Sequence, residues 1–400
     1  MISRYARNAI VLGLLAAVGP FAIDMYLPAL PTIAADLGAT TAATQMTLVA
    51  FFVGFGISQI VYGPVSDMVG RKPPLYFGLA LFVAGAVGCA LSPGIDSLIP
   101  FRLVQGIGAA SVMVIPRAVI RDLHTGIEAT RLMALVMLVL SVSPILAPVT
   151  GSALIVPFGW RAVFVAVTIV ALLSFALVAL VLPETWPKDK RIKSEFRTVL
   201  SSYGKLLTDR RFLGLTFIGG LGMGSFFAFL ASASFIYIDH FGLTPAWFSV
   251  AFSVNAVGFI GSSQFAARLG ERFGMARVVA TAVSAYAAFA VALLAMTLAG
   301  ADSLVVLMVM LFLAFGCLGL VIPATMVLAL DDHGPIAGMA SALGGTLQMV
   351  AGGILIVVVS FFFDGTSLPM VTTIAICAVG AFVLTRLTLR RQELATEPAE

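Results

Sequence analysis

The chain has 400 residues, 60% of them hydrophobic and 10% charged, with a mean hydropathy of +1.08. Soluble domains carry roughly 25% charged residues, so a soluble globular fold is excluded. The net charge of +4 fits loops lying against anionic headgroups rather than nucleic-acid binding.

Apolar runs of membrane-spanning length recur at 9–36, 44–64, 74–92, 97–121, 131–155, 161–183, 211–238, 246–267, 275–299, 303–329, 336–362 and 369–388. None alternates strictly as an outer-membrane strand would, and only a helix satisfies its own backbone within hydrocarbon. The expected fold class is therefore all-α, with twelve transmembrane helices in two six-helix bundles over 1–184 and 211–390. Residues 185–210 read as a basic, solvated cytoplasmic linker and 391–400 as a cytoplasmic tail. Apart from Arg102 and Arg161, the 23 Lys and Arg fall on or near one side, which the positive-inside rule makes cytoplasmic, with both termini there. The first apolar run carries Asp24 and Pro28 and is followed by further spans, so it reads as a helix rather than a cleaved signal.

In chain order, span 1 holds Asp24, the one acidic side chain deep inside an apolar run. A carboxylate at the bilayer centre costs roughly 2.5 to 3.5 kcal/mol, so this group marks proton or substrate handling. Tyr26 follows it, and span 2 offers Gln45, Met46, Phe52 and Gln59. After span 2 comes Gly63-Pro64-Val65-Ser66-Asp67-Met68-Val69-Gly70-Arg71-Lys72-Pro73. Here Gly63 would permit close helix approach, Gly70 a tight turn, and Arg71 with Lys72 would hold the loop at the inner surface, leaving Asp67 free to pair across the bundle. Span 4 opens with Arg102, the only cation in an outer membrane half, which must find an anion, carbonyls or water. Burial disfavours the carboxylate of Asp24 and a nearby guanidinium favours it, opposing influences that could poise it for cycling. Span 5 carries Pro144, Ala147, Pro148 and Gly151, small residues and prolines suited to a kinked, closely packing face. Span 7 contributes Phe226, Phe227 and Phe229, span 8 Asn255 and span 11 Gln348. With Tyr26, Met46, Phe52 and Gln59, these form the candidate pocket lining, aromatic bodies with a few polar groups that must hydrogen-bond within the protein. An echo of the 63–73 loop lies at Arg268-Leu269-Gly270-Glu271-Arg272-Phe273-Gly274, half a chain later, as parallel six-helix repeats would place it.

Cys89, Cys317 and Cys377 lack metal-ligand spacing, and His124, His240 and His333 are far apart. No metal site, catalytic triad or P-loop is expected, and the chain does not read as an enzyme.

At the 63–73 loop a family resemblance becomes specific. The segment resembles the loop 2 to 3 signature of the major facilitator superfamily, G-x-x-x-D-x-x-G-R-[RK]-P, with Met68 where many members carry a basic residue. Arg102-Leu103-Val104-Gln105-Gly106-Ile107-Gly108-Ala109-Ala110 resembles the family's R-x-x-Q-G-x-G-A-A. Residues 143–152 are similar to the antiporter signature G-x-x-x-G-P-x-x-G-G, three of whose four glycines are Ser143, Ala147 and Ser152 here. The 23–31 and 45–48 segments, Gln59 with Tyr62-Gly63-Pro64, Pro183-Glu184-Thr185, and 338–345 with Gln348 look like the Bcr/CflA branch of twelve-span drug/proton antiporters.

That resemblance implies the major facilitator fold and a monomer of the bacterial inner membrane. It implies no cofactor, the proton gradient as energy source, and export of bicyclomycin- or amphenicol-like small molecules. It gives Asp24 and Arg102 the proton coupling, and Gly63, Asp67, Gly70, Arg71 and Lys72 a gating loop. The alternative it leaves open is an exporter of an amino-acid-like or sugar-like metabolite on the same fold, which would preserve every motif.

Overall fold

A computed structural model describes residues 4–124, 126–191 and 196–396, and every regular element among them is helical. Contacts divide the chain into two compact units, Met1–Glu195 with Thr244–Ser249, and Phe196–Leu243 with Val250–Glu400. Among the described residues, twelve helical stretches are long and apolar enough to cross a bilayer.

The first unit contains α1 (Arg4–Asp24), α2 (Leu30–Asp36), α3 (Thr41–Val69), α4 (Lys72–Leu91), α5 (Ile95–Leu123), α6 (Gly126–Phe158) and α7 (Arg161–Leu180). Here α1 packs on α6, α3 on α5, and α4 on both α5 and α7. The rest of the chain forms α8 (Phe196–Thr208), α9 (Arg210–Ser234) running into a π-helical turn at Phe235–His240, α10 (Pro245–Ser263), α11 (Ala266–Phe273), α12 (Met275–Leu298), α13 (Leu304–Asp331), α14 (Ala337–Phe362) and α15 (Leu368–Thr396). In the second unit α9 packs on α14, and α12 on both α13 and α15. Counted by spans, the pairs first-fifth, third-fourth and third-sixth recur in both units, the signature of an internal repeat. The loop echo has a backbone counterpart: Gly70 (φ +102) and Gly274 (φ +83) each end a helix in the left-handed half of conformational space, directly before the next helix.

Two expectations are corrected. The 185–210 stretch is not only a solvated loop, because α8 occupies half of it, buries Tyr203 and Leu206, and packs on α9 and α14. Asp209 then caps α9, its Oδ1 accepting from the backbone N–H groups of Arg211 at 2.8 Å and Phe212 at 3.0 Å. The first span is not one helix either. It breaks between Asp24 and Leu30 around a 3-10 turn at Leu27–Ala29. Pro28 has no N–H to offer the Asp24 carbonyl and Pro31 none to offer Leu27, so two helical hydrogen bonds are impossible and the ladder reopens as α2.

Candidate functional site

The break in span 1 frees a carbonyl, and that carbonyl places Arg102. At the end of α1 the Tyr26 N–H turns to the Ile23 oxygen (3.3 Å) in a tightened 3-10 bond, leaving Ala22 O without its helical donor. Arg102 on α5 fills the gap, its Nη1 donating to Ala22 O at 3.2 Å and to Gln105 Oε1 at 2.6 Å. The guanidinium is wholly buried and lies between two rings, with its Cζ 4.5 Å from the centroids of both Tyr26 and Phe51. Stacking of this kind suits a planar, weakly hydrated cation. Among the described residues its Nε and Nη2 have no hydrogen-bond partner, nor has Gln105 Nε2.

Asp24, two residues beyond the carbonyl that Arg102 holds, is 6% exposed and closes α1. Among the described residues neither Asp24 nor Arg102 takes part in an ion pair. The two charges are therefore linked through the helix break rather than by direct contact. Tyr26 is fixed from its other end: Thr47 Oγ1 gives its proton to Thr44 O (2.6 Å), so the Tyr26 hydroxyl donates to Thr47 Oγ1 at 2.7 Å. Small residues permit this closeness. A Cβ on Gly106 would collide with Phe51 O, and one on Gly151 with Met25 O, so α5 and α6 approach their neighbours backbone to backbone. Pro144, Ala147 and Pro148 lie with Gly151 on α6, which remains one helix through both prolines.

At the basic end of the first unit a second cluster forms around the 63–73 loop. Glu184, just after α7, accepts from the backbone N–H groups of Arg71 (2.8 Å), Lys72 (3.0 Å) and Trp186 (3.0 Å). Arg71, 4% exposed, donates through Nε to Asp122 Oδ2 at 2.8 Å and through Nη1 to Ser66 Oγ at 2.8 Å, pairs with Asp67, and lies 4.8 Å from the Trp186 ring. Burial works against its charge, yet the carboxylates of Asp122 and Asp67 outweigh that and hold its pKa above the ordinary value. Thr185 Oγ1 also donates to Asp122 (3.0 Å), and Trp186 Nε1 to Asp67 O (3.0 Å).

Three expectations for the loop change accordingly. Asp67 is not free, because Arg71, one turn away, engages it. Lys72 does more than sit at a surface: its Nζ donates to the last carbonyls of α7 and just beyond, Leu182 O at 2.8 Å and Ala179 O at 3.4 Å. Gly63 is not needed for close helix approach, since a Cβ there would make only ordinary contact with Val114 at 4.0 Å. Its carbonyl matters instead, accepting from Ser66 Oγ at 2.8 Å. Sequence reading missed Asp122 and the capping role of Glu184. The available signal was Asp122 itself, an acid in the last turn of α5, where the helix dipole disfavours it unless a cation is near.

In the first unit Phe52 is buried, while Met46 and Gln59 keep partial exposure. In the second, Phe226 is partly exposed and packs within 6.4 Å of the ring centres of Phe227, Phe229, Phe259 and Phe315. Phe229 is fully enclosed by Tyr237, Phe252 and Phe315. Phe227 lies against Gly352 of α14, and Gln348 Nε2 would sit 2.7 Å from a Cβ on Gly219. Asn255 Nδ2 donates weakly to Ala251 O and the Tyr237 hydroxyl, 3.4 and 3.5 Å away.

Residues 12–356 match the family model described as Major Facilitator Superfamily. The chain belongs to this superfamily. A relative in Bacillus subtilis, the uncharacterized MFS-type transporter YdgK, is 38% identical over 377 residues, 93% of this chain and 92% of its own. The bicyclomycin resistance protein homolog of Haemophilus influenzae is 30% identical over 384 residues, 92% of this chain and 93% of its own, a likeness that supports the Bcr/CflA branch. The solved structure of a bacterial homolog of the human lysosomal transporter Spinster superposes with a TM-score of 0.75 at 15% identity, covering 98% of both chains. This major facilitator is a multi-pass membrane transporter rather than an enzyme, and its superfamily draws on ion gradients without a cofactor.

Proposed function

We propose that this transporter is a proton-coupled drug exporter of the bacterial inner membrane, exchanging bicyclomycin- or amphenicol-like molecules for protons by alternating access, as a monomer with both termini in the cytoplasm. The observation that carries the reading is Asp24, a buried carboxylate without an ion pair among the described residues, at a broken helix whose freed carbonyl is held by the buried Arg102. The group binds a proton while open to the outside and releases it while open to the cytoplasm. Substrate competes for the deprotonated state, so the proton and the drug move in opposite directions. Tyr26, Met46, Phe52, Gln59, Phe226, Asn255 and Gln348 are assigned to substrate contact, with Phe227 and Phe229 shaping the wall behind Phe226. Proline and small residues at Pro144, Ala147, Pro148 and Gly151 let α6 bear on the Asp24 break, and the Gly63, Asp67, Gly70, Arg71 and Lys72 loop gates the cytoplasmic end.

A relative named for bicyclomycin resistance supports this reading. The driving force is sufficient, because one proton entering down a potential of about 150 mV, negative inside, releases about 3.5 kcal/mol, enough for a gradient of several hundredfold. Asp24→Asn tests it. In an efflux-deficient host the variant should lose phenicol and bicyclomycin resistance, and in proteoliposomes it should lose substrate-triggered proton movement. An Asp24→Asn variant that still concentrates drug against a gradient overturns the assignment.

A further inference from the structure

Away from Asp24, the first unit holds an apolar cleft of about 710 Å³ between α1, α6 and α7. Its α1 wall is Ile10, Leu14 and Phe21, and its α6 wall is Leu138, Val142 and Leu146. Leu173 and Leu177 of α7 close the back. From Ile10 to Phe21 is about 16 Å at 1.5 Å per residue, close to one leaflet of a hydrocarbon core about 30 Å thick. Ile10, Leu138, Leu146 and Leu173 are each about half exposed, so the cleft opens sideways.

The charges at its basic end follow from helix register. A Cβ on Gly13 would meet Val139 at 3.6 Å, and one on Gly151 would meet Met25 O. Both pairs are 126 residues apart in sequence, so α1 and α6 run parallel in a single register. Arg7 therefore lies level with Met133, two residues or about 3 Å of rise from Arg131. Arg7 lies three and seven residues before Ile10 and Leu14, and Arg131 seven before Leu138, so each continues its helix's cleft-lining stripe by one or two turns. Both side chains are exposed and neither forms an ion pair among the described residues. Glu128, one turn from Arg131, is turned to His124 at 3.0 Å.

We propose that this cleft binds an anionic two-chain phospholipid from the leaflet that meets the basic end of α1, one acyl chain lying between α1, α6 and α7 and the phosphate held by Arg7 and Arg131. A leaflet-deep apolar slot ending in two arginines about 3 Å apart in depth, neither ion-paired among the described residues, matches that amphiphile at both ends, and arginine forks are suited to phosphate oxygens. The site does not depend on what the transporter exports. A lipid seated there braces α1 against α6, the pair whose far ends meet at Met25 and Gly151 beside Asp24.

Native mass spectrometry of the full chain, supplied with phosphatidylglycerol or phosphatidylcholine of identical acyl chains, tests this. The wild type should retain phosphatidylglycerol roughly 30-fold over phosphatidylcholine, as two basic contacts imply. R7Q/R131Q should lose that preference, while R7K/R131K and an R268Q/R272Q control should keep it. Gly13→Leu, which fills the slot and spares both charges, should lower retention of either lipid. Equal retention of the two lipids by the wild type, or an unchanged preference in R7Q/R131Q, overturns the proposal. Displacement of bound phosphatidylglycerol by chloramphenicol also overturns it and makes the cleft a drug portal.

Discussion

Arg102 is held by its shape as much as by its charge. It reaches Ala22 O and Gln105 Oε1 through one nitrogen while its flat face lies between Tyr26 and Phe51. Lysine keeps the charge but gives up the planar stacking and the fork of donors. Arg102→Lys should therefore lose on the order of 2 kcal/mol of stability, the scale of a desolvated cation-π contact, read as a lower melting point in detergent. Transport in proteoliposomes should fall at least tenfold, since the Ala22 carbonyl would lose its donor beside Asp24. An Arg102→Lys variant as stable and as active as wild type would show that charge alone matters here. Both Asp24 and Arg102 were legible in the sequence because each stands alone among apolar neighbours. Their linkage was not, because it runs through a backbone carbonyl that becomes free only once Pro28 and Pro31 break the helix.

Elements meet through caps as well as through apolar faces, and the junction of α3, α4, α5 and α7 is the clearest case. One carboxylate, Glu184, satisfies three backbone donors, two of them more than 110 residues earlier in the chain. Glu184→Ala leaves those donors unpaired at a partly buried site and should cost about 1 to 3 kcal/mol in thermal unfolding, with Glu184→Gln costing less because its amide oxygen still accepts. Gly70→Ala should destabilise as well, since φ +102 is strained for any L side chain and the added Cβ would lie 2.8 Å from Glu184 Oε2. If Glu184→Ala melts with wild type, water serves the loop equally well. The helices themselves could be read from apolar run length, and the turn at Gly70 from its glycine. The cap could not be read, because nothing local in Pro183-Glu184-Thr185 names its distant partner. The helix α8 was readable but masked by charge: Phe196, Val199, Leu200, Tyr203, Leu206 and Leu207 repeat at helical spacing among basic neighbours.

For the whole molecule, the twelve spans and their repeat as two six-helix units were implicit in the hydropathy and in the echo between Gly70 and Gly274, whereas the pairing of α1 with α6 and of α9 with α14 was not. The coupling has a consequence that no single element carries. If Asp24 is the one carboxylate cycling between protonated and charged forms, exchange of a neutral drug for one proton carries one net charge inward per turnover. Transport must then respond to voltage at constant pH difference. In proteoliposomes with the pH gradient clamped, a potassium diffusion potential of 100 mV, negative on the cytoplasmic-equivalent side, adds about 2.3 kcal/mol and should raise the limiting gradient of a neutral phenicol about 50-fold. The same voltage should leave Asp24→Asn at the leak level, while a substrate bearing one positive charge should respond only to the pH gradient, its outward charge cancelling the proton's. A neutral drug whose limiting gradient ignores voltage would require a charge-silent cycle, and a single proton exchanged at Asp24 could not supply one.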